Sequence, residues 1–142
     1  MEEKIKVFLD SNVLFSIAYS GKEKSRSYLV YQIRSIGIFE VYVSILVCEE
    51  ALFNIRTKRP ERLALLNELI KNSHVLDDVM TDIKNELISK LPQSDRIILA
   101  TAVSNRMDYF LTGNDKDFKK LYCKRIGKTV ILKPVDFLNM KF

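Results

Sequence analysis

The sequence predicts a single α/β domain in which a central parallel β-sheet lies between two layers of helices, a three-layer α/β/α sandwich. Five short apolar runs rich in Val, Ile, Phe and Tyr are spaced along the chain, and longer segments with a helical spacing of apolar residues separate them. Strands that alternate with helices favour a parallel sheet covered on both faces. The chain of 142 residues is 47% hydrophobic, which suits one domain, residues 1–142, with one core.

The elements of the first half follow from local composition. Residues 5–9 (IKVFL) and 39–44 (FEVYVS) are predicted strands because β-branched and aromatic residues dominate them. Ser44 precedes a segment of helical character and is predicted as its N-cap. A further helix is indicated by apolar residues three and four positions apart, namely Leu63, Leu66, Leu69 and Ile70.

The second half repeats this alternation. Residues 74–76 (HVL), 109–112 (YFLT) and 129–132 (TVIL) are predicted strands. Ser94 is predicted to cap a helix whose apolar face is formed by Ile98, Leu99, Ala102 and Val103. The chain therefore offers five strands with helices between them.

Several classes of protein are disfavoured by simple features. The apolar runs are interrupted by charge well before the roughly 18 consecutive residues that a membrane span requires, and the start MEEKIKVFLD carries acids where a signal peptide is basic. We therefore expect a cytoplasmic protein with no membrane partner. Cys48 and Cys123 lie far apart in the sequence, and the chain has a single histidine, His74. Neither a disulfide framework nor a zinc site is therefore indicated. No GxGxxG or Walker loop for a nucleotide is present.

The charge is positive overall and unevenly spread. The formal net charge is +5, and residues 119–133 contain six Lys or Arg and no acid. A second basic stretch, residues 55–62, contains four basic residues and one acid. Clustered Lys and Arg are typical of binding to a phosphate backbone, although such runs are also common on ordinary solvated surfaces.

The acidic residues near predicted element ends are the main functional signal. Asp10 ends the first strand, Glu50 lies about two turns into a helix, Asp95 opens another, and Asp115 and Asp117 follow the strand YFLT. Each one alone has an ordinary explanation, as a helix cap, an exposed helix residue, a first-turn acid or a turn residue. Because ligands of open α/β sheets bind outside the carboxyl ends of the strands, these acids could nevertheless meet there.

A cluster of carboxylates needs neutralisation. Like charges in a partly buried cleft disfavour each other's ionised form unless protons or cations compensate them. Ligation by oxygen alone, without Cys or His, favours Mg²⁺ or Mn²⁺. Such a cation beside a phosphodiester can activate water and stabilise the leaving oxygen.

Four stretches in a fixed order resemble the PIN domain, the ribonuclease fold of VapC-type toxins. They are VFLDSNVLF, VSILVCEEALFNI, LPQSDRIILATAV and MDYFLTGNDKDF, and the ending TVILKPVDFL is similar to the last strand and short helix of family members. The resemblance spans essentially the whole chain. It implies an α/β/α sandwich with a negatively charged cleft for Mg²⁺ or Mn²⁺ and metal-dependent hydrolysis of RNA.

The resemblance also implies roles for individual residues. Asp10 stands in the family's D-[ST]-N motif and would be a direct metal ligand, with Ser11 and Asn12 shaping the turn. In the second motif the acid lies six residues after a serine, and counting from Ser44 selects Glu50 over Glu49. Asp95 matches the third acid.

The fourth motif departs from the common T-G-D pattern. Thr112 and Gly113 are followed by Asn114, an amide that can coordinate but supplies no charge. Asp117 is then the predicted fourth carboxylate, as in members that read T-x-N-x-x-D-F, while Asp115 is expected to point to solvent. A missing anion is expected to weaken a second metal position most.

We therefore predict a Mg²⁺- or Mn²⁺-dependent endoribonuclease. Lys and Arg on the flanks are predicted to hold the RNA strand, and the candidates are Arg56, Lys58, Arg59, Lys119, Lys120 and Arg125. Four aromatic residues are candidates either for stacking on bases or for the core: Tyr28, Tyr31, Phe53 and Tyr122.

Alternative functions remain open at this point. A degenerate PIN domain would grip RNA or a protein without cutting, which Asn114 in place of an acid motivates. Phosphoryl transfer on Asp10 fits less well, since LDSNVLF lacks a second aspartate two residues on. Within the ribonuclease interpretation, the resemblance implies a toxin with an antitoxin partner and a homodimer, and RNA processing or decay is the alternative.

Overall fold

The computed structural model describes residues 3–34 and 36–141. In chain order, the elements of the first half are β1 (Ile5–Leu9), α1 (Ser11–Ser20), α2 (Leu29–Arg34), β2 (Phe39–Ser44), α3 (Ile45–Lys58) and α4 (Leu63–Lys71). The elements of the second half are β3 (His74–Leu76), α5 (Glu86–Ser89), α6 (Gln93–Ser104), β4 (Tyr109–Leu111), α7 (Asp115–Phe118), β5 (Arg125–Ile126), β6 (Thr129–Leu132) and α8 (Pro134–Leu138).

The strands form one sheet in the order β3-β2-β1-β4-β6-β5 within the described residues. The pairs β1–β2, β1–β4, β2–β3 and β4–β6 are parallel. Helices flank this mostly parallel sheet, so the predicted fold class is confirmed. All five predicted strands are present, and the one predicted at 109–112 ends at Leu111.

The sheet has one strand that the sequence pattern does not predict. The two-residue strand β5 pairs antiparallel with β6 at the edge of the sheet. Gly127, with φ 60°, and Lys128 form the turn between them. A two-residue strand is too short to show an alternating pattern, and its basic composition resembles a surface loop.

The strand order creates a crevice at the middle of the sheet. From β1 the chain adds β2 and then β3 on one side, and β4 returns to the other side of β1. The connections therefore leave the carboxyl ends of β1 and β4 in opposite directions. In open α/β sheets this switch point is where ligands bind.

The hydrophobic core fixes the strands that border this crevice. Phe8 of β1 lies opposite Phe110 of β4, with ring centroids 5.7 Å apart, and Phe118 of α7 packs on Phe110 at 5.6 Å. All three rings are fully buried. Burial of each contributes about 1.5–3 kcal/mol. The aromatic stack thus anchors α7 against the two central strands.

The two predicted N-caps have different outcomes. Ser44 caps α3, because its hydroxyl oxygen accepts a hydrogen bond from the Val47 backbone N–H at 3.2 Å. The prediction for Ser94 is wrong, since α6 begins at Gln93 and Ser94 lies in its first turn. Pro92 occupies the cap position with φ −53° and ψ 151°, and its carbonyl oxygen accepts from the Arg96 N–H at 3.0 Å.

No helix within residues 3–34 and 36–141 combines the length and apolar character that crossing a bilayer requires.

Candidate active site

Asp10 lies at the end of β1, in the crevice between β1 and β4. Its side chain is 1% exposed. One carboxylate oxygen, Oδ1, accepts a hydrogen bond from the Ser11 backbone N–H at 2.8 Å, so Asp10 is the N-cap of α1. The capping role foreseen from the sequence is real, and the other carboxylate oxygen is left for contacts across the crevice.

That second oxygen joins two segments that are distant in the sequence. Asp10 Oδ2 accepts hydrogen bonds from Asn12 Nδ2 at 2.9 Å and from the Thr112 hydroxyl at 2.8 Å. Asn12 Nδ2 also lies 3.1 Å from Thr112 Oγ1, and Asn12 Oδ1 accepts from the Gly113 N–H at 2.7 Å. The turn after β1 is thereby tied to the loop after β4.

Gly113 permits this close approach. A Cβ atom at position 113 would lie 3.3 Å from Asn12 Oδ1, which is tighter than ordinary van der Waals contact. A side chain there would have to displace the Asn12 amide by a few tenths of an ångström. Glycine therefore preserves the short hydrogen bond between the two loops.

Glu50 and Asp95 approach the same region from α3 and α6. Glu50 is half-buried, whereas the neighbouring Glu49 is exposed. Together with the β1 and β4 loops the two helices border a cleft of about 590 Å³. Its walls are formed by Ser11, Asn12, Leu46, Glu49, Glu50, Phe53, Asn54, Asp95 and Asn114.

The carboxylates are electrostatically coupled. Burial, and then the negative charges of Asp10, Asp117 and Glu50, raise the pKa of Asp95 from 3.8 to about 7. A hydrogen bond between the Asp95 and Asp117 carboxyls is the smallest contribution to this rise in pKa, and it requires a proton on one of them. The structure thus places the charges of Asp10, Glu50 and Asp117, from three other elements of the chain, close enough to raise the pKa of Asp95.

Burial likewise raises the pKa of Asp10 to about 6. The hydrogen bonds from Thr112, Ser11 and Asn12 oppose this shift because they stabilise the ionised form, while the charge of Glu50 adds to it. A buried carboxylate with three donors is therefore preorganised but still costly to ionise. A bound cation would remove that cost.

Asn114, Asp115 and Asp117, which follow β4, make different contacts. Asn114 is the N-cap of α7, and its Nδ2 donates a hydrogen bond to Asp117 Oδ2 at 2.8 Å. Asp115 has a side chain that is 63% exposed, lies 3.7 Å from Lys133 Nζ, and accepts a hydrogen bond from the Tyr122 hydroxyl at 2.7 Å. Asn114 thus orients Asp117, whereas the Asp115 side chain contacts Tyr122 and Lys133.

The donor set fits a hard divalent cation in its chemistry. All the coupled groups are carboxylates, neutral amide or hydroxyl oxygens lie beside them, and no Cys or His is among them. As the side chains stand, no three Asp, Glu, His or Cys residues within 3–34 and 36–141 are grouped closely enough to hold an ion. Direct ligation by one or two carboxylates, with water completing the shell, is the usual pattern for Mg²⁺.

The predicted RNA-binding residues lie in three places. Lys119 and Lys120 are exposed directly after α7, close in sequence to Asp117. Arg125 is exposed on β5, the outermost strand. The others lie at the end of α3, where Lys58 Nζ is 5.3 Å from the Phe15 ring and Arg59 is 5.3 Å from the Tyr19 ring.

The aromatic candidates also separate. Tyr31 is buried and belongs to the core, and Tyr28 packs against it. The single hydroxyl proton of Tyr122 lies between Asp115 Oδ1 at 2.7 Å and the Thr112 carbonyl oxygen at 3.1 Å, so Tyr122 contacts both ends of the loop after β4. Phe53 is 69% exposed on the wall of the cleft.

The sequence analysis did not predict a role for Asp78, which links the helices α3 and α6. Asp78 Oδ2 accepts a hydrogen bond from the Leu46 N–H in the first turn of α3 at 2.7 Å, and Thr101 of α6 lies 3.4 Å from Asp78 Oδ1. Thr101 is fully buried and also accepts from the Val79 N–H at 3.0 Å. Asp78 lies in an irregular segment without periodicity, so no local signal points to it.

Comparison with known proteins gives a family match and several structural matches. The family model described as PIN domain matches residues 7–123. No curated protein shows a significant sequence match.

Three solved structures illustrate the fold. VapBC2 from Rickettsia felis, bound to a DNA fragment from its promoter, matches with a TM-score of 0.63 at 13% identity, covering 91% of this chain and 98% of the other. A toxin–antitoxin complex from Klebsiella pneumoniae matches with a TM-score of 0.57 at 19% identity, covering 90% and 97%. VapBC-1 from nontypeable Haemophilus influenzae matches with a TM-score of 0.58 at 14% identity, covering 92% and 99%.

Proposed function

Because the chain belongs to the PIN domain family, we propose that it is a Mg²⁺- or Mn²⁺-dependent endoribonuclease that hydrolyses RNA phosphodiester bonds. Membership of a family of nucleases supports a hydrolase reaction. The choice of RNA and of the cation is part of the proposal.

The observation that carries the proposal is the electrostatic coupling of four carboxylates at the switch point of the sheet. Asp10, Glu50 and Asp117 all act on the pKa of Asp95. No ordinary helix cap or surface acid requires this convergence, and it is costly unless a proton or a cation compensates the charge. The net charge of +5 supports an anionic substrate.

In this proposal each group has a defined task. Asp10, Glu50, Asp95 and Asp117 would hold the cation, which would neutralise charge and activate water at the phosphodiester. Asn12 and Thr112 hold the Asp10 carboxylate in place, and Ser11 donates its backbone N–H to it. Asn114 orients Asp117.

We also propose that the protein is the toxin of a toxin–antitoxin pair, with an antitoxin protein as partner and a homodimer as its assembly. The structural matches are complexes of toxins with antitoxins, and they are similar over nearly the whole length of both chains. At identities of 13–19% these matches show the fold alone. The antitoxin partner is therefore a proposal, which a pull-down with the product of a neighbouring reading frame would test.

A second candidate function is RNA or protein binding without cleavage. Asn114 stands where many family members have an acid, and among the residues that the structure describes no three acidic side chains are grouped closely enough to hold an ion. Calorimetry separates the two candidates. Mn²⁺ binding favours the enzyme, whereas RNA binding without detectable Mn²⁺ binding at millimolar concentration favours the binding module.

The first prediction concerns cleavage of single-stranded RNA in the presence of Mn²⁺. We expect EDTA to abolish cleavage, and Asp10→Asn, Asp95→Asn and Glu50→Gln each to reduce its rate by about 100-fold or more, because each removes charge that holds the cation. Glu61→Gln is the matched control, since its side chain is exposed and does not line the cleft. Cleavage that persists in EDTA, or in Asp10→Asn, would refute the mechanism.

A further inference from the structure

We propose that Phe53 and Asn54 form a subsite for one unpaired nucleobase next to the scissile phosphate. The proposal rests on the proposed nuclease function and adds a determinant of substrate class: the RNA must be single-stranded at the position that enters the cleft. It concerns a part of the cleft that the carboxylates do not use.

Phe53 occupies an unusual position for a phenylalanine. Its side chain is 69% exposed, yet it lines the same cleft as Glu50 and Asp95. Phe53 and Asn54 come three and four residues after Glu50 on α3, so all three lie on one side of the helix. The open ring therefore lies one helical turn from the acidic end of the cleft, about 5 Å along the axis.

Asn54 provides a polar group beside the ring. It is half-buried and lines the cleft, and none of the hydrogen bonds within the described residues uses its side-chain amide. An amide presents both donors and an acceptor, which match the edge of a nucleobase. A flat apolar face next to an amide is the combination that stacks on a base and bonds to its edge.

The basic side chains next to the cleft favour nucleic acid as the ligand of this subsite. Lys58 follows one turn after Asn54 at the exposed end of α3, and Arg59 is next to it. Their cations lie 5.3 Å from the rings of Phe15 and Tyr19 of α1, the helix that packs beside α3. Basic and aromatic side chains therefore alternate on the surface next to the carboxylates. This arrangement suits a single RNA strand, in which phosphates alternate with unpaired bases.

The test combines substitutions of Phe53 with removal of single bases from one single-stranded oligoribonucleotide substrate. We expect Phe53→Leu to raise KM about ten-fold through loss of stacking, with kcat and Mn²⁺ affinity unchanged. Phe53→Tyr should retain the wild-type KM. An abasic nucleotide, moved along the oligonucleotide, should raise KM at one position beside the cleavage site for the wild type but not for Phe53→Leu.

Ile36→Ala is the matched control, because Ile36 is an apolar side chain that is also 69% exposed and does not line the cleft. A binding measurement adds a readout that does not depend on cleavage. Oligonucleotides with 2-aminopurine at successive positions, titrated into the metal-free protein, should show quenching at one position that disappears in Phe53→Leu.

Three results would overturn the subsite. The first is that Phe53→Leu keeps the wild-type KM and the wild-type quenching. If EDTA still stops cleavage, that result contradicts the subsite but not the nuclease proposal. Another is an abasic penalty of equal size in wild type and Phe53→Leu. The third is loss of a protein partner in Phe53→Leu with RNA cleavage and quenching unchanged, which would assign this face to protein binding. Failure of the nuclease proposal is recognised separately, by cleavage that survives chelation.

Discussion

At the scale of single residues, Asp10 shows why a motif can be read correctly in two ways. It caps α1 through one carboxylate oxygen and joins the crevice through the other. The local pattern DSN predicted the cap, and the order of the acids predicted the cluster. The contact with Thr112 spans 102 positions, so the chain alone could only suggest it.

Asp95 should destabilise the metal-free protein at alkaline pH. Its folded-state pKa of about 7 lies above the ordinary value of 3.8, so the folded protein binds this proton more tightly than the unfolded chain does. The stability cost of its charge grows between those two values and is complete above about 7. Asp95→Asn in EDTA should therefore raise the free energy of unfolding at pH 8 by about 1–2 kcal/mol, allowing for solvent screening.

Urea unfolding at pH 8 and pH 5 measures this effect. The gain from Asp95→Asn should shrink at pH 5, where the wild-type carboxyl is largely protonated. Glu49→Gln serves as the exposed control and should change stability by less than about 0.5 kcal/mol. A loss of stability in Asp95→Asn at pH 8 would mean that its carboxylate is held by attractive contacts, contrary to the coupling described above.

At the scale of elements, five of the six strands that the structure describes were predictable, whereas the shortest elements and the contacts between helices were not. The five predicted strands are marked by β-branched and aromatic runs, and the helix after Ser44 by its cap. The strand β5 and the helix α7, four residues long, carry too few residues for a periodic pattern. The irregular segment that contains Asp78 owes its position to tertiary contacts alone.

Asp78 should stabilise the junction of α3 and α6, the helices that carry Glu50 and Asp95. Its carboxylate accepts from the Leu46 N–H, an otherwise unpaired donor of the first turn of α3, and lies within reach of Thr101. We expect Asp78→Ala to lower the free energy of unfolding by about 1–2 kcal/mol. Asp77→Ala, which removes an exposed neighbour, should cost less than about 0.5 kcal/mol. Equal effects in chemical denaturation would contradict a capping role for Asp78.

At the scale of the whole molecule, the switch point of the sheet explains why acids far apart in sequence converge. The parallel strands β1 and β4 present their carboxyl ends side by side, and α3 and α6 begin near the same edge. The fold class and the family were predictable from strand alternation and the ordered motifs, and both are confirmed. The shape of the cleft was not, because the exposure of Phe53 and Asn54 depends on how α1, α3 and α6 pack.

The molecule's positive charge should make RNA affinity strongly dependent on salt, and the contribution of each cation should depend on the side of α3 on which it lies. Lys58 is about 80° around the helix from Glu50, whereas Arg56 is about 120° away on the other side. Both are exposed. In metal-free protein we expect Lys58→Ala to reduce the slope of log affinity against log salt by about one. Arg56→Ala should leave the slope nearly unchanged, because the strand is expected to leave the cleft on the Asn54 side of α3. That outcome would remove Arg56 from the RNA-binding residues predicted from the sequence. Fluorescence anisotropy between 50 and 200 mM salt, the range in which phosphate contacts dominate, measures both slopes. A larger change in Arg56→Ala than in Lys58→Ala would place the RNA on the side of α3 that carries Phe53 and Arg56 rather than Lys58, and would remove Lys58 from the charge argument for the Phe53 subsite.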